Sequence, residues 1–358
     1  MTKLWSPIQV GRMTLSHRLA MSPMTRSRAL PDGTPGALSP LYYAQRASLG
    51  LLISEGTQPS ADGQGYLLTP GIYTESHIAG FKRITDRVHD AGGHLVIQLM
   101  HVGRVSHPDN TPHHRQALAP SAIAPGIGMF TASGMQDIPV PRAMTSEDVL
   151  ATIEQFRVAA AAAIQAGADG VEIHGANGYL IHQFFAENAN VRRDSYGGSP
   201  ENRARFGIEV AQAVAKEIGA DRTGFRISPG SPAAGLNEGP NGPEVYRVLI
   251  RELARLNLAY LHVLHRGNEE FLQEIRSLWP NVLLVNRAGR PLEKLTMDLD
   301  AGIADIVPVG TWALANPDLV RRLKEGAPLN APDPETFYGG GARGYTDYPT
   351  LAELASKR

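Results

Sequence analysis

Polar residues and glycines follow most of the short apolar runs in this sequence, and several of them form a coherent chemical set. The set contains neutral hydrogen-bonding side chains (Thr25, Gln98 and Asn177), one internal arginine (Arg226) and one small residue (Gly56). It contains no tight group of carboxylates of the kind that binds a hard metal ion. Such a set is typical of a site that binds the polar edges of a large planar heterocycle. Spacing alone leaves open the alternative that these are unrelated loop residues.

The residue types and their positions disfavour other active-site chemistries. A Schiff-base enzyme needs an active-site lysine, and none of the six lysines follows a strand-like run. A metal-dependent hydrolase needs converging ligands, whereas the histidines in or just before one long loop are interpreted as surface residues. With no cysteine and no G-x-G-x-x-G after a strand, the chain offers neither a thiolate site nor a Rossmann dinucleotide site. No metal site is predicted; the loop histidines are His101, His107, His113 and His114.

The charge balance of the chain argues against large anionic partners. With 34 basic and 35 acidic residues the formal net charge is −1, and no long run of one sign occurs. This balance indicates neither nucleic-acid binding nor a polybasic membrane anchor. No apolar run approaches the length of a membrane span, and Met1–Met13 lacks the apolar core of a signal peptide. We therefore expect a cytoplasmic protein.

Eight short apolar, β-branched runs alternate with stretches of helical periodicity, which is the pattern of a (β/α)₈ TIM barrel. In such a barrel the C-terminal ends of the strands meet at one mouth, where catalysis takes place. The polar set described above stands at those ends. The predicted strands are Arg18–Ser22, Leu51–Glu55, His94–Leu99, Gly170–His174, Gly224–Ser228, Tyr260–Leu264, Val282–Asn286 and Asp305–Val309. The predicted helices are His77–Ala91, Ser146–Ala166, Glu201–Ile218, Pro243–Leu256, Glu269–Leu278, Leu292–Asp300 and Pro317–Leu323.

The helix predicted over Ser146–Ala166 has the clearest signature. Apolar residues recur at three- and four-residue steps from Val149 to Ile164, as in a helix that packs on a sheet. Thr145, with Asp148 three residues later, predicts an N-terminal capping box.

Two segments lack periodicity. Val102–Met144, after the third strand, is rich in Pro, Gly, Ser and His, and a loop of that length is expected to be a lid, a binding segment or disordered. The tail Phe337–Pro349 is irregular and rich in aromatic residues. Because no internal repeat or composition shift marks a boundary, we predict one domain over residues 1–358.

Long motifs in this chain resemble the old yellow enzyme family of flavin-dependent ene-reductases. The resemblance is carried by His174-Gly-Ala-Asn-Gly-Tyr-Leu-Ile-His-Gln-Phe-Phe and by the stretch from Asn190 to Phe206. It continues with Ser22-Pro-Met-Thr-Arg26, Ile53-Ser-Glu-Gly-Thr57 and Ala315-Asn-Pro-Asp-Leu319, over nearly the whole chain. The chain is most similar to the bacterial branch that includes N-ethylmaleimide and pentaerythritol tetranitrate reductases.

The resemblance implies bound FMN. Thr25 would then hydrogen-bond the C4 carbonyl of the flavin, and Gln98 would pair with its pyrimidine edge. Arg226 would lie near N1 and the C2 carbonyl, where a cation stabilises the negative charge of the reduced ring. The remaining implied cofactor-binding residues are Pro23, Met24, Gly56, Arg287, Ala288, Gly289, Gly310 and Thr311.

The resemblance also implies how an alkene would be reduced. His174 and Asn177 would bind the carbonyl or nitro oxygen of the substrate, and Tyr179 would protonate its α-carbon. NADPH or NADH would supply the hydride, and the substrate would be a small activated alkene. Each catalytic assignment has a structural alternative: Tyr179 could be a half-buried core residue and Asn177 a turn residue. Tyr66 and Tyr338 match aromatic positions that line the family's substrate pocket. A role in packing alone would explain these two tyrosines nearly as well.

Three positions depart from the family pattern. The partner of His174 in oxygen binding is asparagine (Asn177), where histidine is frequent in the bacterial branch. Met100 stands where tryptophan is usual, which should open one wall of the substrate pocket. Gly310-Thr311 replaces the Gly-Arg whose arginine meets the flavin phosphate; we hypothesise that Arg287 or Arg290 supplies the missing cation.

Two other functions remain as alternatives at this point. One is a related flavin barrel with another task, such as dienoyl-CoA reduction; that class uses a cysteine-bound iron–sulfur cluster, which this chain cannot hold. The other is a barrel that binds flavin without catalysis. The sequence does not separate a monomer from a homodimer.

Overall fold

A computed structural model describes residues 3–356 of the chain. Its centre is a sheet of eight parallel strands, in the order β7-β6-β5-β4-β3-β2-β1-β8. A parallel bridge between Leu284 and Ile306 brings the two edge strands together and closes the sheet into a barrel. The TIM-barrel prediction is therefore confirmed. The strands are β1 (Leu19–Met21), β2 (Leu51–Ile53), β3 (Leu95–Leu99), β4 (Gly170–Gly175), β5 (Thr223–Ile227), β6 (Tyr260–Leu264), β7 (Val282–Asn286) and β8 (Val307–Val309).

Helices surround this barrel and bury their apolar faces against it. The capping box predicted at Thr145 is present: its hydroxyl accepts from the Asp148 N–H, and the Asp148 carboxylate accepts from the Thr145 N–H. The α-helices are α1 (Ser39–Ala44), α2 (Glu75–Asp90), α3 (Ser146–Gln165), α4 (Leu180–Phe185), α5 (Pro200–Ile218), α6 (Gly242–Arg255), α7 (Glu269–Leu278), α8 (Met297–Asp300), α9 (Thr311–Ala315), α10 (Leu319–Glu325) and α11 (Leu351–Ser356). No helix within the described range is both long and apolar enough to span a membrane.

The predicted helices differ from the observed ones mainly where a helix is short. Four short helices, α1, α4, α9 and α11, were not predicted from the sequence, because five or six residues are too few to show a helical period. The segment predicted as one helix over Leu292–Asp300 is divided into a 3₁₀ turn, Leu292–Lys294, and the single turn of α8.

The N-terminal end of the barrel is plugged by a β-hairpin that the sequence analysis did not predict. Its strands, Ile8–Val10 and Met13–Leu15, pair antiparallel. Val10, Met13 and Leu15 are buried and pack with residues from the barrel interior, among them Leu51 and Leu284. Since this end is closed by apolar packing, we look for the functional site at the opposite, C-terminal mouth.

The long segment after β3 is ordered. It contains a hairpin, Gly128–Thr131 with Gly134–Asp137, and a short parallel pair, Leu118–Ala119 with Arg142–Ala143. The side chain of Gln183 in α4 accepts from the Arg104 N–H at 3.0 Å and donates to the Val102 carbonyl at 2.9 Å. These bonds attach the start of the segment to the helix that follows β4, so the segment lies at the mouth of the barrel.

Candidate active site at the C-terminal mouth of the barrel

Three polar side chains at the mouth have no hydrogen-bond partner among residues 3–356. They are His174 at the end of β4, Asn177 just after it, and Arg226 in β5; His174 and Arg226 are directly paired across the two strands. His174 is 2% exposed and Arg226 is 5% exposed. Buried polar groups without partners are costly and uncommon in folded proteins. The mouth is therefore prepared to bind a polar ligand.

The turn that carries Asn177 is held from both sides. Asn177 has φ of 56°, a left-handed conformation that asparagine tolerates, and Gly178 follows with φ of 86°. The Asn177 N–H donates to the Ser228 hydroxyl after β5 at 2.8 Å. The Gly178 N–H donates to Nδ1 of His182 at 3.0 Å, and Nε2 of His182 bonds Glu238 at 2.8 Å. The backbone of this turn is thus fixed, and the side chain of Asn177 is left without a partner among the described residues.

Tyr179, the N-cap residue of α4, lies between two other rings of the site. Its ring meets His174 at 5.3 Å between centroids, and its hydroxyl forms a 3.0 Å hydrogen bond with the hydroxyl of Tyr66. Burial raises the pKa of Tyr179 well above its usual value, and Tyr66 adds to that shift. Burial, with the nearby charge of Arg226, lowers the pKa of His174 well below its usual value. At neutral pH the site therefore holds a protonated phenol beside a neutral imidazole.

A buried carboxylate behind these residues was missed by the sequence analysis because it lies within the apolar run of β4. Glu172 accepts a hydrogen bond from Nε2 of Gln98 at 2.7 Å and pairs with Nδ1 of His262 at 2.9 Å. Burial alone would raise the pKa of Glu172, but His262, Arg226 and Gln98 together lower it. Because the amide nitrogen of Gln98 is bound to Glu172, its carbonyl oxygen is left to accept a hydrogen bond from a ligand.

The loop that carries Thr25 is fixed by a second buried carboxylate, Glu55, at the end of β2. Glu55 accepts hydrogen bonds from the N–H groups of Arg26 and Ser27 at 2.9 and 3.3 Å. The guanidinium of Arg26 donates to carbonyl groups of the C-terminal tail, including Phe337 and Gly344. The irregular tail is thus ordered, and it holds the first loop of the site in place.

Glu55 should make the stability of the protein depend on pH. Burial raises the pKa of Glu55 to about 7, although the two backbone hydrogen bonds act in the opposite direction. A carboxyl whose pKa is higher in the folded state stabilises the fold fully below its unfolded pKa, and this contribution is lost as the pH rises through about 7. From pH 5 to pH 8 we expect Glu55→Gln to gain about 2.5 kcal/mol of unfolding free energy relative to the original chain.

Urea unfolding of both chains at several pH values measures this difference. Comparing the two chains cancels the other titrating groups, and glutamine keeps an oxygen that can accept both backbone bonds. A difference that stays constant between pH 5 and pH 8 would show that Glu55 is ionised in the folded protein throughout.

Met100, in the position where the family usually has tryptophan, packs directly over Gly56. A Cβ on Gly56 would lie 2.5 Å from the sulfur of Met100, so this position accepts only glycine unless Met100 moves. Met100 belongs to a small apolar cluster with Val105 and with Met129 of the hairpin, and Tyr66 and Tyr179 pack against it. The long segment after β3 therefore supplies one wall of the site.

This wall forms part of a cavity of about 560 Å³ that is also lined by Tyr66, Tyr179 and Tyr338. Thr25 also lines it, and Tyr338 is 70% exposed at its edge. A second cavity of about 450 Å³ begins at the neighbouring residue, Met24. Of the residues assigned to the substrate, Tyr66 and Tyr338 line the first cavity, whereas His174, Asn177 and Met100 line neither cavity, and neither do Gly56 and Gln98 of the cofactor set.

Eight of the eleven residues that were assigned to the cofactor line the second cavity. It lies between the ends of β1, β7 and β8, with the buried guanidinium of Arg226 also on its wall. A cavity of this size beside the buried, unpartnered Arg226 fits FMN, with Arg226 available to the ring and the cavity to the phosphate-bearing chain. The assigned residues that line it are Pro23, Met24, Arg226, Arg287, Ala288, Gly289, Gly310 and Thr311.

The two arginines that were hypothesised to replace the family's phosphate-binding arginine lie in this cavity but already have partners. Arg287 donates to Asp298 at 2.7 Å and to Glu269 at 2.8 Å, and Arg290 donates to Asp298 at 2.7 Å. Arg266, which the sequence analysis did not consider, also lines the cavity and has no hydrogen bond or ion pair within residues 3–356. Among the described residues the cavity therefore has two arginines without partners, Arg226 and Arg266, and two that are paired.

One interpretation from the sequence is wrong. His101 was counted among surface histidines, yet it is 1% exposed, and its Nδ1 accepts from the Gly103 N–H at 3.1 Å. Burial lowers the pKa of His101 to about 4. It follows β3 directly, and periodicity could not show that the chain stays buried beyond the end of the strand.

Comparison with known proteins gives consistent matches over the whole chain. The model of the NADH:flavin oxidoreductase / NADH oxidase family matches residues 3–330. A probable flavin mononucleotide-dependent alkene reductase of Leishmania infantum is 41% identical, with 96% of each chain covered. 12-Oxophytodienoate reductase 2 of Arabidopsis thaliana is 38% identical, with 98% of this chain and 96% of the relative covered.

Solved structures agree with these matches. Morphinone reductase in complex with tetrahydroNAD superposes with a TM-score of 0.93 at 42% identity, and the match covers 97% of each chain. The old yellow enzyme homologue from Zymomonas mobilis superposes with a TM-score of 0.94 at 36% identity, over 98% of this chain and 100% of that one.

Proposed function

The chain belongs to the NADH:flavin oxidoreductase family, with old yellow enzyme homologues as its relatives, and from this premise we propose that it is an FMN-dependent ene-reductase. In this proposal NADPH or NADH supplies a hydride, and an activated alkene such as an enone, a maleimide or a nitroalkene receives it. The observation that carries the proposal is the protonated Tyr179 beside the neutral, unpartnered His174. A protein that only bound flavin would have no use for a proton donor placed there.

The residues for holding FMN are those with free hydrogen-bonding groups. Thr25 offers a hydroxyl, Gln98 a carbonyl oxygen fixed by Glu172, and Arg226 a buried guanidinium. When bound, FMN would accept a hydride from the reduced nicotinamide and deliver it to the β-carbon of the alkene. Arg226 would provide positive charge beside the ring, which favours its reduced, anionic state.

The substrate oxygen would be held by donors from His174 and Asn177. Both side chains are free to donate, and two donors at one oxygen withdraw electron density from the conjugated alkene and stabilise the enolate-like charge that develops on it. Tyr179 would hold its proton for the α-carbon, and its raised pKa keeps the phenol protonated at neutral pH. Because nicotinamide and alkene would use the same cavity, we propose that they bind in turn.

Anaerobic reduction and reoxidation test the proposed function. The protein is reconstituted with FMN, titrated with NADPH or NADH, and then mixed with N-ethylmaleimide or 2-cyclohexenone. Bleaching of the flavin absorbance followed by its return with the alkene is expected. A protein that cannot be loaded with FMN would contradict the proposal, and bleaching without return would favour a flavin protein with another task.

A further inference from the structure

An unusual share of the exposed apolar surface lies around one cavity. Leu68, Ile127, Phe130 and Tyr338 are 38%, 38%, 67% and 70% exposed, and all four line the cavity that contains Tyr179. We call these four side chains the apolar rim. Exposed apolar side chains are ordinary when scattered, but a group around a cavity marks a binding surface.

The apolar rim is assembled from three separate parts of the chain. Leu68 comes from the loop after β2, Ile127 and Phe130 from the hairpin after β3, and Tyr338 from the C-terminal tail. The hairpin is anchored by Met129, which is 5% exposed and packs in the cluster around Met100. Because neighbouring residues on the hairpin point in opposite directions, the buried Met129 directs Phe130 outward.

The Phe130 backbone is also fixed, since the Asn110 amide donates to its carbonyl at 2.9 Å and to that of Gly65 at 3.1 Å. The backbone that carries Phe130 is therefore held in place before any ligand binds. Rigid apolar surface contributes to affinity without a large cost of ordering side chains.

The cavity inside the apolar rim has no charged lining residue. Its polar groups are hydroxyls, from Thr25, Ser27, Tyr66, Tyr179 and Tyr338. A carboxylate or phosphate placed there would lose its hydration without gaining a cation. The polar end of a substrate is accounted for by His174 and Asn177, so the rest of the cavity suits uncharged apolar groups.

We propose that the preferred substrate is an uncharged activated alkene with an apolar substituent that reaches from the reacting carbons to the apolar rim. This inference rests on the proposed function and narrows its substrate class. The substituent would cover surface of Phe130 and Ile127 that is otherwise in water. Each methylene group transferred from water to apolar contact should then raise kcat/KM about three- to fourfold, until the substituent passes the rim.

A series of linear alk-3-en-2-ones with tails from methyl to hexyl tests this on the FMN-loaded enzyme. We expect kcat/KM to rise steeply with tail length. A tail of the same length that ends in a carboxylate should lose most of that gain. The ratio of kcat/KM for the hexyl and methyl compounds is the quantity to compare between variants.

Phe130→Gln should reduce this ratio at least tenfold. Val140→Gln is the matched control, because Val140 is 52% exposed just after the same hairpin, does not line the cavity and is not paired with Phe130 across the two strands, as Met135 is. The ratio for this control should match that of the original chain. Thermal unfolding of both variants checks that neither substitution has disturbed the fold. Equal loss of the ratio in both variants would attribute the effect to the hairpin and overturn the proposal.

Two further outcomes keep this inference separate from the proposed function. If N-ethylmaleimide does not reoxidise the reduced protein, the proposed function fails. If it does, but kcat/KM is independent of tail length, only the substrate-class inference fails. A dimer in sedimentation that Phe130→Gln dissociates, combined with no dependence on tail length, would assign the rim to a second copy of the chain.

Discussion

Tyr179→Phe is expected to slow the reduction of alkenes by about 10²- to 10⁴-fold, the range that a placed general acid contributes. Phenylalanine keeps the ring that packs against His174 at 5.3 Å and removes only the hydroxyl. The loss should fall on the alkene half-reaction, because reduction of the flavin by NADPH needs no proton from the protein at this position. Stopped-flow absorbance measures the two half-reactions separately, with N-ethylmaleimide and 2-cyclohexenone as oxidants.

Tyr73→Phe is the matched control for this experiment. Tyr73 is half-buried, packs edge-on against His77 and lines neither cavity of the mouth. Its rates should equal those of the original chain. If Tyr179→Phe reoxidises as fast as this control, the proton comes from elsewhere and Tyr179 is a packing residue. Slowing of both half-reactions to the same extent would instead indicate a distorted pocket.

Burial and the neighbouring Tyr66 keep the phenol of Tyr179 protonated at neutral pH. Desolvation makes the phenolate unfavourable, and the neighbouring hydroxyl of Tyr66 does not reverse this effect. A carbanion-like carbon is a strong enough base to take the proton, whereas water or a neutral oxygen is not. In the proposed mechanism this arrangement would restrict proton transfer to the carbanion-like carbon of the alkene.

The barrel and its mouth could be predicted from the sequence because both depend on local patterns. Each strand is a short apolar run, and the polar residue at its end follows directly in the chain, so His174, Arg226 and Gln98 were found without knowledge of any contact. The capping box at Thr145 is local in the same sense. Short helices such as α4 were missed because their period is too brief to be seen.

The supports of the site could not be predicted, because they join residues far apart in the chain. Arg26 binds the carbonyl of Gly344 across 318 positions, and Glu172 reaches His262 across 90. Glu172 in particular resembles an interruption of an apolar run when only the sequence is known. The apolar rim could not be predicted for the same reason, since its three segments become neighbours only in the folded chain.

The pairing of Arg287 was equally invisible in the sequence, and it changes the expectation for the flavin phosphate. Arg226, Arg266, Arg287 and Arg290 line the second cavity, while Glu269 and Asp298 neutralise two of these charges, which leaves 4 − 2 = +2. Arg287 lowers the pKa of Glu269 to about 2, so that carboxylate is ionised at neutral pH. A phosphate would compete with the Glu269 carboxylate for the guanidinium of Arg287.

Arg287→Ala is expected to weaken FMN binding by about 10- to 100-fold, the equivalent of one charge-assisted hydrogen-bond pair. Riboflavin, which lacks the phosphate, should bind this variant as it binds the original chain. Quenching of flavin fluorescence on the apoprotein measures both dissociation constants. Arg255→Ala, an exposed ion-paired arginine that does not line the cavity, is the control. Equal loss of FMN and riboflavin binding would show that Arg287 maintains the fold of the loop and does not bind the phosphate.

Glu269→Gln decides between these two roles because they predict opposite signs. If Arg287 binds the phosphate, removing its competing carboxylate frees the guanidinium and should tighten FMN binding by about tenfold. If Arg287 serves only to fix the loop through Glu269 and Asp298, the same substitution removes one of its anchors and should weaken FMN and riboflavin alike. The expected gain is specific to FMN and should diminish as salt is raised, since this pair is partly exposed and therefore screened.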